Sequence, residues 1–148
     1  VLGVYDKELT KIIVQVLLNL GCERAMVVCG EDGLDEITTT TITHVSELKD
    51  GKIVDYSINP KDFKIKLATP YDIKGGTSGE NAEILFDVLK GKKDSKRDIV
   101  LLNSAAALYV GKVCSNIAAG VELAEKIIDS GAAHSKLKEL VDYSRRFS

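Results

Sequence analysis

The sequence has no tryptophan, one methionine, two prolines and two histidines, and aromatic side chains make up only 5% of it. Its tyrosines and phenylalanines are scattered, so they offer no stacking platform for nucleic-acid bases. Two histidines are too few for a histidine-rich zinc site. The three cysteines, Cys22, Cys29 and Cys114, are an odd number at wide spacing with no CxxC. They read as reduced thiols of a cytoplasmic protein rather than as a disulfide framework. Neither sign of charge dominates: 20 Lys and Arg against 22 Asp and Glu leave a net charge of −2. That excludes a polyanion binder relying on bulk charge, while a local phosphate site stays open. No apolar run approaches the ~20 residues that cross a bilayer. Asp6, Lys7 and Glu8 interrupt the start, where a signal peptide needs an apolar stretch. Neither a nucleic acid nor a membrane is therefore expected as a partner.

What is present is the balance of a soluble globular chain, 45% hydrophobic and 28% charged. At 148 residues there is room for one domain, or a large piece of one, with a substantial core. The chain opens at Val1 rather than Met, which leaves a segment of something longer and a complete protein both open.

Leu9, Ile12, Ile13, Val16, Leu17 and Leu20 fall at helical spacing, with Asp6 as a cap and Gly21 as the terminator. Ala25 to Cys29 is a short continuous apolar run, as in a strand buried on both faces. After the polar loop Glu31 to Glu36, the Thr- and Ile-rich stretch Ile37 to Leu48 predicts one or two strands. Lys49-Asp50-Gly51-Lys52 supplies hairpin chemistry before the strand Ile53 to Ile58, which Pro60 closes. Lys61 to Gly79 has no period and reads as a loop. Helices are predicted at Glu80 to Leu89 (Ala82, Leu85, Phe86 and Leu89 on one face), at Ile99 to Val110 (buried), from Ile117 to Gly131, and around Leu137 to Val141. The fold class that follows is α/β, a mixed sheet layered with helices, without regular βαβ alternation.

The densest polar cluster is Gly30-Glu31-Asp32-Gly33-Leu34-Asp35-Glu36, directly after the buried strand. Ligands of open α/β sheets gather at the carboxyl ends of strands. Adjacent carboxylates there can hold Mg²⁺, which takes oxygen ligands and shares one or two carboxylates with substrate phosphates. An acidic surface turn that binds nothing fits the same spacing. The loop lacks the DxDxDG pattern of a calcium site. Gly75-Gly76-Thr77-Ser78-Gly79 opens a helix but lacks a P-loop lysine, and reads as a connection with Thr77 or Ser78 as the cap. Asn103, inside an apolar helix, has to find a partner. His44 reads as a sheet residue, and Cys29 has no nearby histidine in sequence to activate it.

Taken together, VYD with its helix, VVCGEDGLDE, ELKDGKI, GGTSGENA and RDIVLLNSAAALYV resemble the carboxyl-terminal half of the anthranilate phosphoribosyltransferases, in the same order and over essentially the whole chain. Pyrimidine nucleoside phosphorylases share the wider phosphoribosyltransferase/pyrimidine nucleoside phosphorylase-like fold. The DGLDE loop and the late helix look more like the anthranilate enzymes.

The resemblance implies a single α/β region over 1–148, an incomplete large domain whose amino-terminal half carries the Gly-rich phosphate loop and most anthranilate contacts. It implies transfer of a 5-phosphoribosyl group from phosphoribosyl pyrophosphate to anthranilate in tryptophan biosynthesis, with Mg²⁺ held by Asp35 and Glu36. It also implies a homodimeric parent. No anthranilate-binding or catalytic residue is carried onto this chain, and Cys29 stands where family members often have His. Three outcomes stay open: part of this enzyme that is inactive alone, a non-catalytic binding or assembly fragment, and half of a pyrimidine nucleoside phosphorylase.

Overall fold

The structure, a computed structural model, describes residues 1–147. Its centre is a four-stranded sheet in the order β1 (Leu2–Gly3), β2 (Arg24–Gly30), β3 (Thr43–Lys49), β4 (Lys52–Ile58). β1 runs parallel to β2, joined to it through helix α1 (Glu8–Asn19), while β2, β3 and β4 are antiparallel. The expected mixed sheet is therefore present. Asp50 and Gly51 both take positive φ, 51° and 73°, between the paired Lys49 and Lys52. That is the two-residue turn whose twist matches antiparallel strands, and Asp-Gly suits it because only such residues enter the left-handed region at little cost.

β2 is buried along all but its first residue. Its side chains alternate between two layers, as a period of two dictates. Ala25, Val27 and Cys29 meet α1 through Leu9, Ile13, Val14, Leu17 and Leu18. Met26 and Val28 meet Leu102, Ala105, Ala106 and Tyr109 of helix α4 (Ser95–Val110) on the other side. Only half of the apolar stripe foreseen for α1 packs inward. Ile12, Val16 and Leu20 lie one turn apart on a face that remains exposed, because Val14 and Leu18 fill the sheet-facing stripe instead.

Two other expectations are corrected. Ile37 to Ile42 is irregular rather than strand, and β3 begins only at Thr43. The stretch after β4 is not featureless: it holds a 3₁₀ turn, Pro60–Phe63, and a short helix, α2 (Pro70–Ile73), opened by a Thr69/Asp72 capping box.

The remaining helices form a layer over α4: α3 (Ser78–Leu89), α5 (Ile117–Asp129) and α6 (Ala132–Ser144). Within it Val88, Leu101, Ala124 and Ile128 make a third buried cluster, while Leu85 and Phe86 of α3 stay exposed. α4 starts earlier than its apolar run because Asp94 accepts hydrogen bonds from the Lys96 and Arg97 amides. Arg97, 1% exposed, is neutralised by Asp129 of α5 at 2.7 Å.

At the end of the sheet nearest the hairpin, Glu47 accepts hydrogen bonds from the Tyr56 and Tyr109 hydroxyls at 2.9 and 2.7 Å. Burial, then the Glu47 charge, pushes the Tyr56 phenol well above its ordinary range. Tyr56 therefore stays a protonated donor, and the Tyr109 bond to Glu47 ties α4 to the sheet.

α4 and α5 cross at Gly120, where a Cβ would lie 2.7 Å from the Ala105 carbonyl oxygen. The missing side chain is what lets the backbones approach. Gly120→Val should force the helices apart at a cost of about 2 kcal/mol. Calorimetry should then show Tm falling by roughly 4–8 °C; an unchanged Tm would contradict the crossing.

Candidate functional site

β2 ends at Gly30, and the chain turns there on its own backbone. The Gly33 amide donates to the Gly30 carbonyl, the Gly30 amide to the Leu34 carbonyl at 2.8 Å, and the Glu31 amide to the Ile42 carbonyl. Gly33 has φ +84°, which favours glycine. A Cβ on Gly30 would sit 2.3 Å from Asp32 Oδ1, so this glycine makes room for the aspartate.

The acids of this loop divide by role. Asp32 is exposed but its carboxylate is engaged by the loop: Oδ2 accepts the Thr38 hydroxyl at 2.8 Å and the Thr40 hydroxyl, and Oδ1 accepts the Leu34 amide at 3.2 Å. Partial burial opposes its ionisation. The Thr40, Thr38 and Leu34 hydrogen bonds outweigh that and hold its pKa below the ordinary carboxylate range. The Thr-rich segment that read as a strand is thus committed to Asp32 and to tertiary bonds, among them Thr38 amide to Thr43 hydroxyl at 3.0 Å.

Asp35 and Glu36 face outward and are exposed. Among the described residues neither carboxylate has a cationic partner, and neither accepts a hydrogen bond. They line one cleft of about 390 Å³ with Gly3, Val28, Asn103 and Ser104. The structure thus brings the two predicted metal ligands together on one wall. No group of three or more His, Cys, Asp or Glu suited to hold a metal occurs among the described residues. Two free neighbouring carboxylates fit a hard cation such as Mg²⁺, whose other ligands are water and phosphate oxygens, and not a closed structural site.

Two residues outside the loop define its position. Gly3 of β1 lies so close that a Cβ there would be 1.5 Å from the Asp35 carbonyl oxygen. Asn103 of α4 accepts the Ile37 amide at 2.9 Å and donates to the Ile37 carbonyl at 2.8 Å. Asn103 stood out in sequence as a polar residue in an apolar helix, and this is its partner. Gly3 gave no such signal, since a glycine in a short strand carries many readings.

The other sequence candidates lie elsewhere. Gly76 is engaged by Asn81, and Thr77 caps α3 in a capping box with Glu80, so the glycine segment is a connection. Cys29 and His44 are cross-strand partners on the opposite face of β2, beside a second cleft with Asp6 and Lys7. Burial, then the Asp6 and Asp32 charges, raises the Cys29 thiol pKa, so it is no ready nucleophile.

Residues 1–134 match the family model described as the glycosyl transferase family, a/b domain. The chain belongs to this family. Its relatives include the anthranilate phosphoribosyltransferase of Caldanaerobacter subterraneus subsp. tengcongensis, 59% identical over 146 residues, covering 99% of this chain and 43% of the relative. That of Thermoanaerobacter sp. is 55% identical over 148 residues, 44% of its length. Among solved structures, the anthranilate phosphoribosyltransferase of Thermus thermophilus superposes with TM-score 0.89 at 33% identity, over 98% of this chain and 43% of that one. The Saccharomyces cerevisiae enzyme in complex with PRPP and Mg superposes with TM-score 0.84 at 26% identity, over 95% of this chain and 41% of that one. The chain spans under half the length of the relatives it matches.

Asp32→Asn removes a charged acceptor, and should cost roughly 1 kcal/mol after discount for its solvent exposure. A depressed folded pKa stabilises the fold above the unfolded carboxylate value of about 3.9, and the gain is lost as pH falls through the lower folded value. The Tm gap between wild type and Asp32→Asn should therefore be flat at about pH 5.5–8 and shrink below about pH 4. A gap of full size at about pH 3 would show that the Asp32 charge is not the anchor.

Proposed function

We propose that this chain is the cation-holding part of an anthranilate phosphoribosyltransferase, a cytoplasmic pentosyltransferase of tryptophan biosynthesis. The substrates are phosphoribosyl pyrophosphate and anthranilate. In the reaction the anthranilate amine forms a bond to C1 of the ribose, the C1–O bond to pyrophosphate breaks, and the amine gives up a proton. The residues proposed to hold Mg²⁺ are Asp35 and Glu36. Bound there, the cation neutralises the negative charge that gathers on the departing pyrophosphate.

The observation that carries this reading is the pair of exposed, unpartnered carboxylates at the carboxyl end of β2, fixed at their backbone and open to one cleft. What supports the substrate assignment is the set of relatives named above, together with the yeast enzyme's complex with PRPP and Mg. Asp35 and Glu36 supply two charged ligands, the sheet and α4 hold them in place, and the wall formed by Val28 and Ile99 keeps that side of the cleft apolar. The aromatic amine is a weak base, so positioning serves it more than proton abstraction, and no general base is assigned in this chain. The rest of the phosphate contacts and the anthranilate site belong to the remainder of the relatives' length, as does the surface of the proposed homodimer.

In a protein completed to the length of its relatives, Asp35→Asn with Glu36→Gln should lower Mg²⁺-dependent turnover by roughly 100-fold or more, with an unchanged circular-dichroism spectrum. Unchanged turnover would remove the metal role. The 148-residue chain alone should give no turnover with phosphoribosyl pyrophosphate, Mg²⁺ and anthranilate. Robust activity would refute the division of the site between the two halves.

A further inference from the structure

We infer that Asn103 is a positioning residue for the carboxylate pair: its side-chain amide, with the close approach of Gly3, sets the backbone from which Asp35 and Glu36 reach a cation. The inference rests on the metal role proposed for those two acids and deepens it.

Asn103 uses its amide fully. Oδ1 accepts the Ile37 amide at 2.9 Å, and Nδ2 donates to the Ile37 carbonyl at 2.8 Å and to the Ile99 carbonyl, one turn back on α4, at 3.0 Å. The bond to Ile99 fixes the plane of the side chain, so the pair of bonds to Ile37 works as a strand-like clip on a segment that has no strand partner. Ile37 itself is 0% exposed and sits in the core between β2 and α4. The residue after Glu36 is thus immobilised through its amide, its carbonyl and its side chain. On the other side, Asp35 rests its carbonyl against the bare Cα of Gly3. The main chain is therefore gripped at two points, between the acids at the Asp35 carbonyl and just after them at Ile37, while among the described residues the two carboxylates accept no hydrogen bond that would hold them back from a ligand.

A fully satisfied amide in this place could serve stability alone, but its position speaks for more. The same side chain lines the cleft that Asp35 and Glu36 face. A cation needs its two protein ligands at a fixed separation, and groups that orient such ligands typically matter about 10–100-fold in affinity.

The test is a titration with Mn²⁺ in the presence of inorganic pyrophosphate, followed by electron paramagnetic resonance, on the protein completed to the length of its relatives. Asn103→Ala and Asn103→Leu are the test variants; the second keeps the side-chain bulk. Leu101→Ala, on the α3/α5 side of the same helix, serves as a control for lost stability without change at the loop. Thermal melting is recorded for all of them. Both Asn103 variants should need roughly tenfold more Mn²⁺, or beyond, for half-saturation. The Leu101 variant should bind as wild type although its Tm falls.

Half-saturation unchanged in the Asn103 variants, with only Tm lowered, would overturn the inference. So would an equal shift in the Leu101 variant, because the effect would then follow stability. Asp35→Asn with Glu36→Gln separates this from the underlying reading. If that double variant weakens Mn²⁺ binding while the Asn103 variants do not, only the positioning role fails. If it binds Mn²⁺ as wild type, the metal role fails, and the positioning role with it.

Discussion

The burial of β2 on both faces is the constraint from which the rest follows. A strand with six consecutive buried residues has no solvated side, so it requires one layer of helix on Ala25, Val27 and Cys29 and another on Met26 and Val28. α1 and α4 meet those demands. What remains open is the carboxyl end of the strand, where the chain leaves the sheet between the two layers. A polar loop placed there has a rigid base and free access to solvent, which is the situation in which ligands bind to α/β sheets.

The loop uses that base economically. Four acids stand within six residues, and a cluster of like charges repels itself unless some of it is engaged. Asp32 is bonded to threonine hydroxyls and an amide, so one negative charge becomes part of the scaffold. Asp35 and Glu36 are then held through their main chain rather than their side chains. The four acids thus divide within a single turn: Asp32 is satisfied, Glu31 lines the cleft beside Cys29 and His44, and Asp35 and Glu36 stay in water, where an exposed carboxylate is stable without a partner.

Much of this was legible in the sequence, and for physical reasons. The run AMVVC is too short and too uniformly apolar for a surface element, and Asp50-Gly51 has few conformations other than the turn it makes. The two acids were likewise visible as a pair. What stayed hidden depended on contacts made at long range. The threonines between Ile37 and Ile42 have strand propensity, but Asp32 claims the Thr38 and Thr40 hydroxyls and Asn103 the Ile37 backbone, so local preference is overridden. The inward stripe of α1 is only partly legible because that helix is apolar on two faces, and periodicity alone does not say which face meets a sheet. The Thr69-Pro70-Tyr71-Asp72 cap is present in the sequence, but four residues are too few to show a period.

The bond between Ile37 and Asn103 also joins residues 66 positions apart. During synthesis on a ribosome at about 5–20 residues per second, the acidic loop emerges roughly 3–13 s before the helix that fastens it. Over that interval β2 has only one of its two covers, and the loop lacks its clip to Asn103. The loop thus acquires its last fastening late, when α4 docks and closes the core and the cleft together.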